Sequence, residues 1–126
     1  MLVYKVVIIH KGPEGQREFF SCRTTSPTFR RKYEVGIPTT PLADFPRAKL
    51  FAFKDIHSAE RFRTYGETIF VAEAQIARCQ RIFISRDRVT SAIRRFWWGR
   101  PHKLDLSNIP EGTVFCNSIT LLKEII

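Results

Sequence analysis

The first stretches of the chain decide the fold: Leu2–His10 reads LVYKVVIIH, Lys11–Gly15 reads KGPEG, and Gln16–Thr24 reads QREFFSCRT. Val and Ile dominate the first stretch, which favours a β-strand. Gly and Pro in the second supply the backbone angles that a turn requires. The third stretch alternates enough to pair back on the first, so we predict that the chain begins with a β-hairpin.

Further strands and two helices are predicted beyond the hairpin. The strand candidates are Phe29–Val35, Lys49–Phe53, Glu67–Ala74, Arg81–Ser85, and Thr113–Asn117 with Ile119–Ile125, the last two as one bent strand or two short ones. A first helix, Ile56–Tyr65, has Asp55 as its N-cap and Gly66 as its stop. A second helix is predicted from Ser85 to about Trp97. These elements predict one α+β domain over residues 1–126, a mostly antiparallel sheet of about five to seven strands with two helices.

The charge of the chain is unusually positive. Lys and Arg number 21 against 12 Asp and Glu, giving a formal net charge of +9 over 126 residues. Residues 78–103 hold eight basic side chains and a single acid, Asp87. Such an excess favours acidic partners such as nucleic acid, a nucleotide or an acidic protein. A basic surface that serves solubility alone is the alternative.

The second predicted helix separates apolar from basic side chains. Its apolar positions follow helical spacing and share one face: Val89, Ala92, Ile93, Phe96 and Trp97. The opposite side carries Arg88, Arg94, Arg95 and Trp98. An indole beside guanidinium groups suits base stacking with phosphate binding. The alternative is a solvated basic face, with Trp98 folded back on Pro101 or into the core.

Two groups of residues are therefore candidates for binding nucleic acid or an anion. The main group is Arg86, Arg88, Arg94, Arg95, Trp98, Arg100 and Lys103. A smaller cluster consists of Arg30, Arg31 and Lys32. Arginine-rich stacking surfaces suit single strands and loops better than duplex reading, so we expect no sequence-specific duplex binding.

Motifs for catalysis or for metals are missing from the sequence. Neither of the glycine-rich phosphate-binding patterns is present, and no histidine stands four residues from another histidine or a cysteine. Cys22, Cys79 and Cys116 form no CxxC pair and are interpreted as buried structural thiols of an intracellular protein. We expect no catalytic residue, no metal and no cofactor.

Three segments resemble small uncharacterised proteins of bacteriophages and archaeal viruses. They are Tyr33–Gly36 (YEVG), Lys49–Phe53 (KLFAF) with the helix that follows, and Glu111–Glu124 (EGTVFCNSITLLKE). The resemblance covers roughly half the chain and implies a viral or mobile-element setting. It implies no particular activity, and the segment 86–103 lies outside it.

A second resemblance is to ADP-ribosyltransferase-like folds, through the strand, helix and strand order of Phe51–Val71. That resemblance implies an α+β fold with a His, Tyr and Glu triad. His10 and Tyr65 would correspond to the first two members of that triad. No glutamate on a late strand matches the third, since Glu124 lies at the end of the chain.

The sequence therefore favours a non-enzymatic binding protein for nucleic acid or a nucleotide-type anion, in a viral accessory or counter-defence role. One alternative is a protein-interaction module that inhibits an acidic host factor. Another is an enzyme of transferase or nuclease type. We expect a cytoplasmic location, in the host cytoplasm for a viral protein, and no membrane partner, because the N-terminal apolar run is too short for a signal peptide or a membrane span.

Overall fold

The computed structural model describes residues 1–21, 30–41, 49–78 and 111–125. In chain order the elements are β1 (Leu2–Lys11), β2 (Arg17–Ser21), β3 (Lys32–Tyr33), β4 (Leu50–Phe53), α1 (Ile56–Phe62), β5 (Glu67–Ile76) and β6 (Thr113–Glu124). Every strand pairing among them is antiparallel.

The six strands form a sheet that closes into a small barrel. Along one edge β1 pairs with β5 from Leu2 to Ile8. Along its other edge β1 pairs with β4 at Tyr4 and with β2 from Val7 to Lys11. The ring closes because β6 pairs with both β4 and β5. Strand β1 is thus the element that connects the hairpin to the barrel.

Alternate residues of the strands fill the barrel. The buried interior cluster comprises Val3, Val7, Tyr33, Leu50, Ala52, Phe70, Ala72, Ala74, Cys116, Ile119 and Leu121. On β1, β4 and β5 the members are two or four residues apart, as the two-residue period of a strand requires. Small alanines on β4 and β5 leave room for the larger side chains of the other strands.

Lys5 is an exception to the apolar interior. It lies on β1 between Val3 and Val7 and is only 7% exposed. Its Nζ donates a 2.6 Å hydrogen bond to the carbonyl oxygen of Phe51 and lies 5.2 Å from the centre of the Tyr33 ring. The ammonium therefore lies where the partner of β1 changes from β4 to β2.

Helix α1 covers the outer surface of the barrel. Ala59 and Phe62 pack against Val6, Phe53 and Ile69, which point away from the barrel interior. These five residues form a second core on the opposite side of β1 and β5.

The N-cap of α1 lies where the sequence predicts it. The Asp55 side chain accepts hydrogen bonds from the Ser58 backbone N–H at 2.8 Å and from the Ser58 hydroxyl at 3.0 Å. These two bonds hold the pKa of Asp55 below its ordinary value.

The predicted architecture is confirmed in its coarse outline. The sheet is antiparallel and rich in strands, and the hairpin at the start of the chain is present. The structure describes one short helix where two were predicted, and the second, from Ser85 to Trp97, lies outside the described residues, as does the strand Arg81–Ser85.

Several predicted boundaries are wrong. Helix α1 ends at Phe62, before the predicted Tyr65, because Arg63 already has extended backbone angles. Strand β3 is limited to two residues. For the end of the chain, predicted as one bent strand or two short ones, the structure has the first alternative: β6 is one continuous strand with two register shifts in its pairing with β5. Glu67, the first residue of β5, is buried.

Within the part of the chain that the structure describes, no helix combines the length and apolar character that crossing a membrane requires.

Candidate nucleic-acid interface

The structure describes only the smaller of the two predicted anion-binding groups. Arg30, Arg31 and Lys32 lie at the start of β3, next to β2. The larger group lies outside the described residues: Arg86, Arg88, Arg94, Arg95, Trp98, Arg100 and Lys103. The geometry of a site can therefore be built from the β1, β2 and β3 region.

Arg31 is held by the backbone around it. Its backbone N–H donates to the Ser21 hydroxyl at 3.1 Å, and its Nε donates to the Thr40 carbonyl oxygen at 3.1 Å. Both bonds fasten the beginning of β3 to its neighbours. Within the predicted basic cluster, the Arg31 side chain thus already donates to a backbone carbonyl oxygen of the protein.

Arg30 lies over an aromatic ring. Its guanidinium carbon is 4.2 Å from the centre of the Phe20 ring, which is within cation–π distance. The ring of His10 meets the same phenylalanine edge-on, with 5.3 Å between ring centres and 87° between planes. Phe20 therefore contacts both a cation and an imidazole.

The strand register explains why these side chains meet. Phe20 is paired with Ile8 on β1 and with Lys32 on β3, while His10 is opposite Glu18. Paired residues share a face of a sheet, and so do residues two apart on one strand. We call the resulting surface, made by His10, Glu18, Phe20, Arg30 and Lys32, the hairpin face. Phe19 points to the other side and packs on the barrel interior.

The charges on the hairpin face are only partly compensated. Lys32 Nζ is 3.3 Å from a carboxylate oxygen of Glu18. Arg30 has no carboxylate partner among the residues that the structure describes. The face therefore keeps a net positive charge with a free guanidinium at one end.

Tyr65 lies next to the same end of β1. The backbone N–H of Ile9 donates to the Gly66 carbonyl oxygen at 3.2 Å, which brings the residue before Gly66 close to His10 in the sheet. The Tyr65 side chain is fully exposed. Tyr65, predicted as the last residue of the first helix, lies beyond it, because Arg63 is the C-cap of α1.

The sequence did not predict Phe20 as a site residue, and it predicted His10 only as a member of a catalytic triad and not beside the basic cluster. The sequence shows the pair Phe19–Phe20 in a predicted strand, but not which ring faces outward or which basic side chain lies above it. Both follow from the pairing of β2 with β3, and the sequence alone does not give that register.

Other chemistry is sparse in the described part of the chain. No group of His, Cys, Asp and Glu there has the arrangement of a metal site. Glu124, considered for a triad with His10 and Tyr65, pairs with Arg17 at 2.9 Å.

Cys116 is fully buried as predicted, and burial raises the pKa of its thiol to about 11. Cys22 and Cys79 lie outside the described residues.

Comparisons with models of protein families, with curated proteins and with solved structures found no match to this chain.

Proposed function

We propose that this protein binds nucleic acid or a nucleotide-type anion without chemically changing it. The observation that carries the proposal is the hairpin face, where the Arg30 guanidinium is fixed over Phe20 beside a second cation, Lys32. The formal net charge of +9 supports it, because a basic surface attracts polyanions over long range. The viral accessory role that the sequence resemblance implies is part of the same proposal.

Binding would depend chiefly on phosphate contacts. Arg30 and Lys32 supply cations on the hairpin face, and the segment 86–103 supplies more cationic side chains per residue than the rest of the chain. Each phosphate contact releases counterions, so affinity falls as salt rises. The logarithmic slope of affinity against salt measures how many contacts form.

The assignment of the 86–103 segment is tested by the double variant Arg94→Ala/Arg95→Ala. Fluorescence anisotropy titrations with a labelled single strand at several salt concentrations give the slope. Loss of two phosphate contacts on a single strand is expected to flatten it by roughly 1.4.

A matched control, Lys54→Ala/Arg61→Ala, removes the same charge from exposed positions beside and on α1. It is expected to leave the slope close to that of the wild type. A slope that the Arg94/Arg95 variant leaves unchanged removes these two arginines from the interface.

A protein-interaction module is the second candidate, favoured by exposed apolar side chains. Val35, Ile37 and Leu122 are each about half exposed, and a hydrogen bond of 2.8 Å from Gly36 N–H to the Leu121 carbonyl oxygen connects the two segments. Exposed apolar patches often mark protein interfaces. Affinity capture that recovers one acidic protein, and that Ile37→Asp abolishes while nucleic acid does not bind, would favour this candidate.

A further inference from the structure

We propose that the hairpin face is a stacking site for unpaired bases of a single-stranded nucleic acid, with one base lying on the Arg30 guanidinium. The inference rests on the proposed function and goes further, because phosphate binding alone requires no base contact. It assigns a role to Phe20, which positions Arg30, and to His10 and Tyr65, which extend the surface.

The geometry of Arg30 supports a stacked base. The Arg30 guanidinium carbon lies 4.2 Å from the centre of the Phe20 ring. A guanidinium group is planar, and bases stack on arginine planes as they do on aromatic rings. Because the contact with Phe20 already restricts the Arg30 side chain, less side-chain entropy is lost when a base binds.

The ring-bearing and planar groups follow one another across the sheet. Tyr65 lies at the β5 side, His10 on β1, Phe20 on β2 and Arg30 at β3. Neighbouring strands lie about 4.8 Å apart, so the row is roughly 14 Å long. A strand that crosses β1, β2 and β3 can therefore contact several of these groups with successive nucleotides.

The planar groups of the hairpin face, with a cation beside them, favour a single strand as the occupant. The bases of a duplex are stacked on one another and offer only their edges, whereas unpaired bases expose a face to an aromatic or guanidinium plane. Lys32 lies next to Phe20 in the register and is placed to contact a phosphate beside the stacked base.

The test compares a single strand of about twelve nucleotides with an abasic strand of equal length, because sites of this kind hold about four to sixteen nucleotides. The abasic strand keeps every phosphate and lacks every base. Arg30→Lys keeps the positive charge but removes the plane, and Arg61→Lys on α1 is the matched control. Phe20→Leu tests the support under the guanidinium, and circular dichroism checks that it folds.

Arg30→Lys and Phe20→Leu are each expected to weaken binding of the base-containing strand by about tenfold, the effect of losing one stacked base. Neither variant is expected to change binding of the abasic strand, and Arg61→Lys is expected to change neither. Arg30→Lys remains informative if Phe20→Leu fails to fold.

Two results would overturn the inference in distinguishable ways. If the wild type binds the abasic strand as tightly as the base-containing strand, and Arg30→Lys has no effect, stacking is wrong while the proposed function stands. If neither strand binds, the proposed function falls, and the stacking site falls with it.

Discussion

Charge compensation on the hairpin face depends on one acidic side chain. Glu18 lies opposite His10 on the neighbouring strand, pairs with Lys32 at 3.3 Å, and accepts a long hydrogen bond from Gln16 at 3.4 Å. An acid at this place opposes the approach of a phosphate and occupies a cation that would otherwise bind it. Removal of the Glu18 charge is therefore expected to tighten binding. Nonspecific damage to the fold would weaken binding instead.

Glu18→Gln is expected to tighten binding of a single strand several-fold and to steepen its salt dependence, because Lys32 is released for phosphate contact. Anisotropy titration measures both quantities. Glu111→Gln, which removes an exposed acid paired with Arg61 at 3.4 Å, is the control for net charge. Equal effects of the two substitutions would show that net charge acts without a local site.

Cys116 gives a prediction about stability and pH. Burial in the barrel raises the pKa of its thiol from 9.0 to about 11, so the folded protein holds a proton there that the unfolded chain releases. Its contribution to stability is present below pH 9 and is lost as the pH rises toward 11. Denaturant unfolding at several pH values should show a steeper loss for the wild type than for Cys116→Ala. Parallel pH profiles would contradict the raised pKa.

At the scale of elements, sequence patterns predicted structure best where periodicity and capping agree. The Val- and Ile-rich β1, the KGPEG turn and the Asp55 cap are examples, since each depends on neighbours in sequence. The end of α1 was missed because hydrogen bonds to the first residue of β5 intervene: Arg63 Nε donates to the Glu67 carbonyl oxygen at 2.8 Å, and the Thr64 N–H donates to the Glu67 carboxylate. These bonds favour a turn into β5 over another helical turn.

The continuity of β6 was also ambiguous in sequence. Asn117 and Ser118 interrupt the apolar alternation, which allows either one bent strand or two short ones. The structure accommodates them by a register shift between Gln75 and Ile76 of β5, so one strand continues past them. Bulges of this kind depend on the partner strand, which the sequence does not identify.

Near Lys5, β1 changes its partner from β4 to β2, and this place gives a prediction at the scale of elements. Lys5 is buried with one hydrogen bond and with no carboxylate partner among the described residues, so desolvation of the ammonium offsets what the bond contributes. Lys5→Met is expected to change the free energy of unfolding by less than about 1 kcal/mol. Lys5→Ala leaves a cavity and is expected to cost about 2–4 kcal/mol.

Chemical denaturation measures both Lys5 variants. If Lys5→Met destabilises the protein as much as Lys5→Ala does, the ammonium itself holds β1 against β4, and the argument from desolvation is wrong.

At the scale of the whole molecule, the sequence showed the excess of positive charge and predicted the cluster Arg30, Arg31 and Lys32, but it did not show which side chains lie beside that cluster. Charge is a sum over residues and needs no structure, whereas the hairpin face brings together His10 and Arg30, twenty positions apart in the chain. Closure of the sheet into a barrel likewise depends on pairing between β1 and β5, and on that of β6 with both β4 and β5. Such distant pairings are the part of a fold that local patterns specify least.

The most direct test of the central claim is a titration of the full chain with a labelled single strand of about twelve nucleotides at two salt concentrations. The proposed function predicts saturable binding that weakens at the higher salt and that Arg30→Ala/Lys32→Ala reduces more than Lys54→Ala/Arg61→Ala does. Absence of saturable binding at the lower salt, or equal loss in the two double variants, would contradict a nucleic-acid interface on the hairpin face.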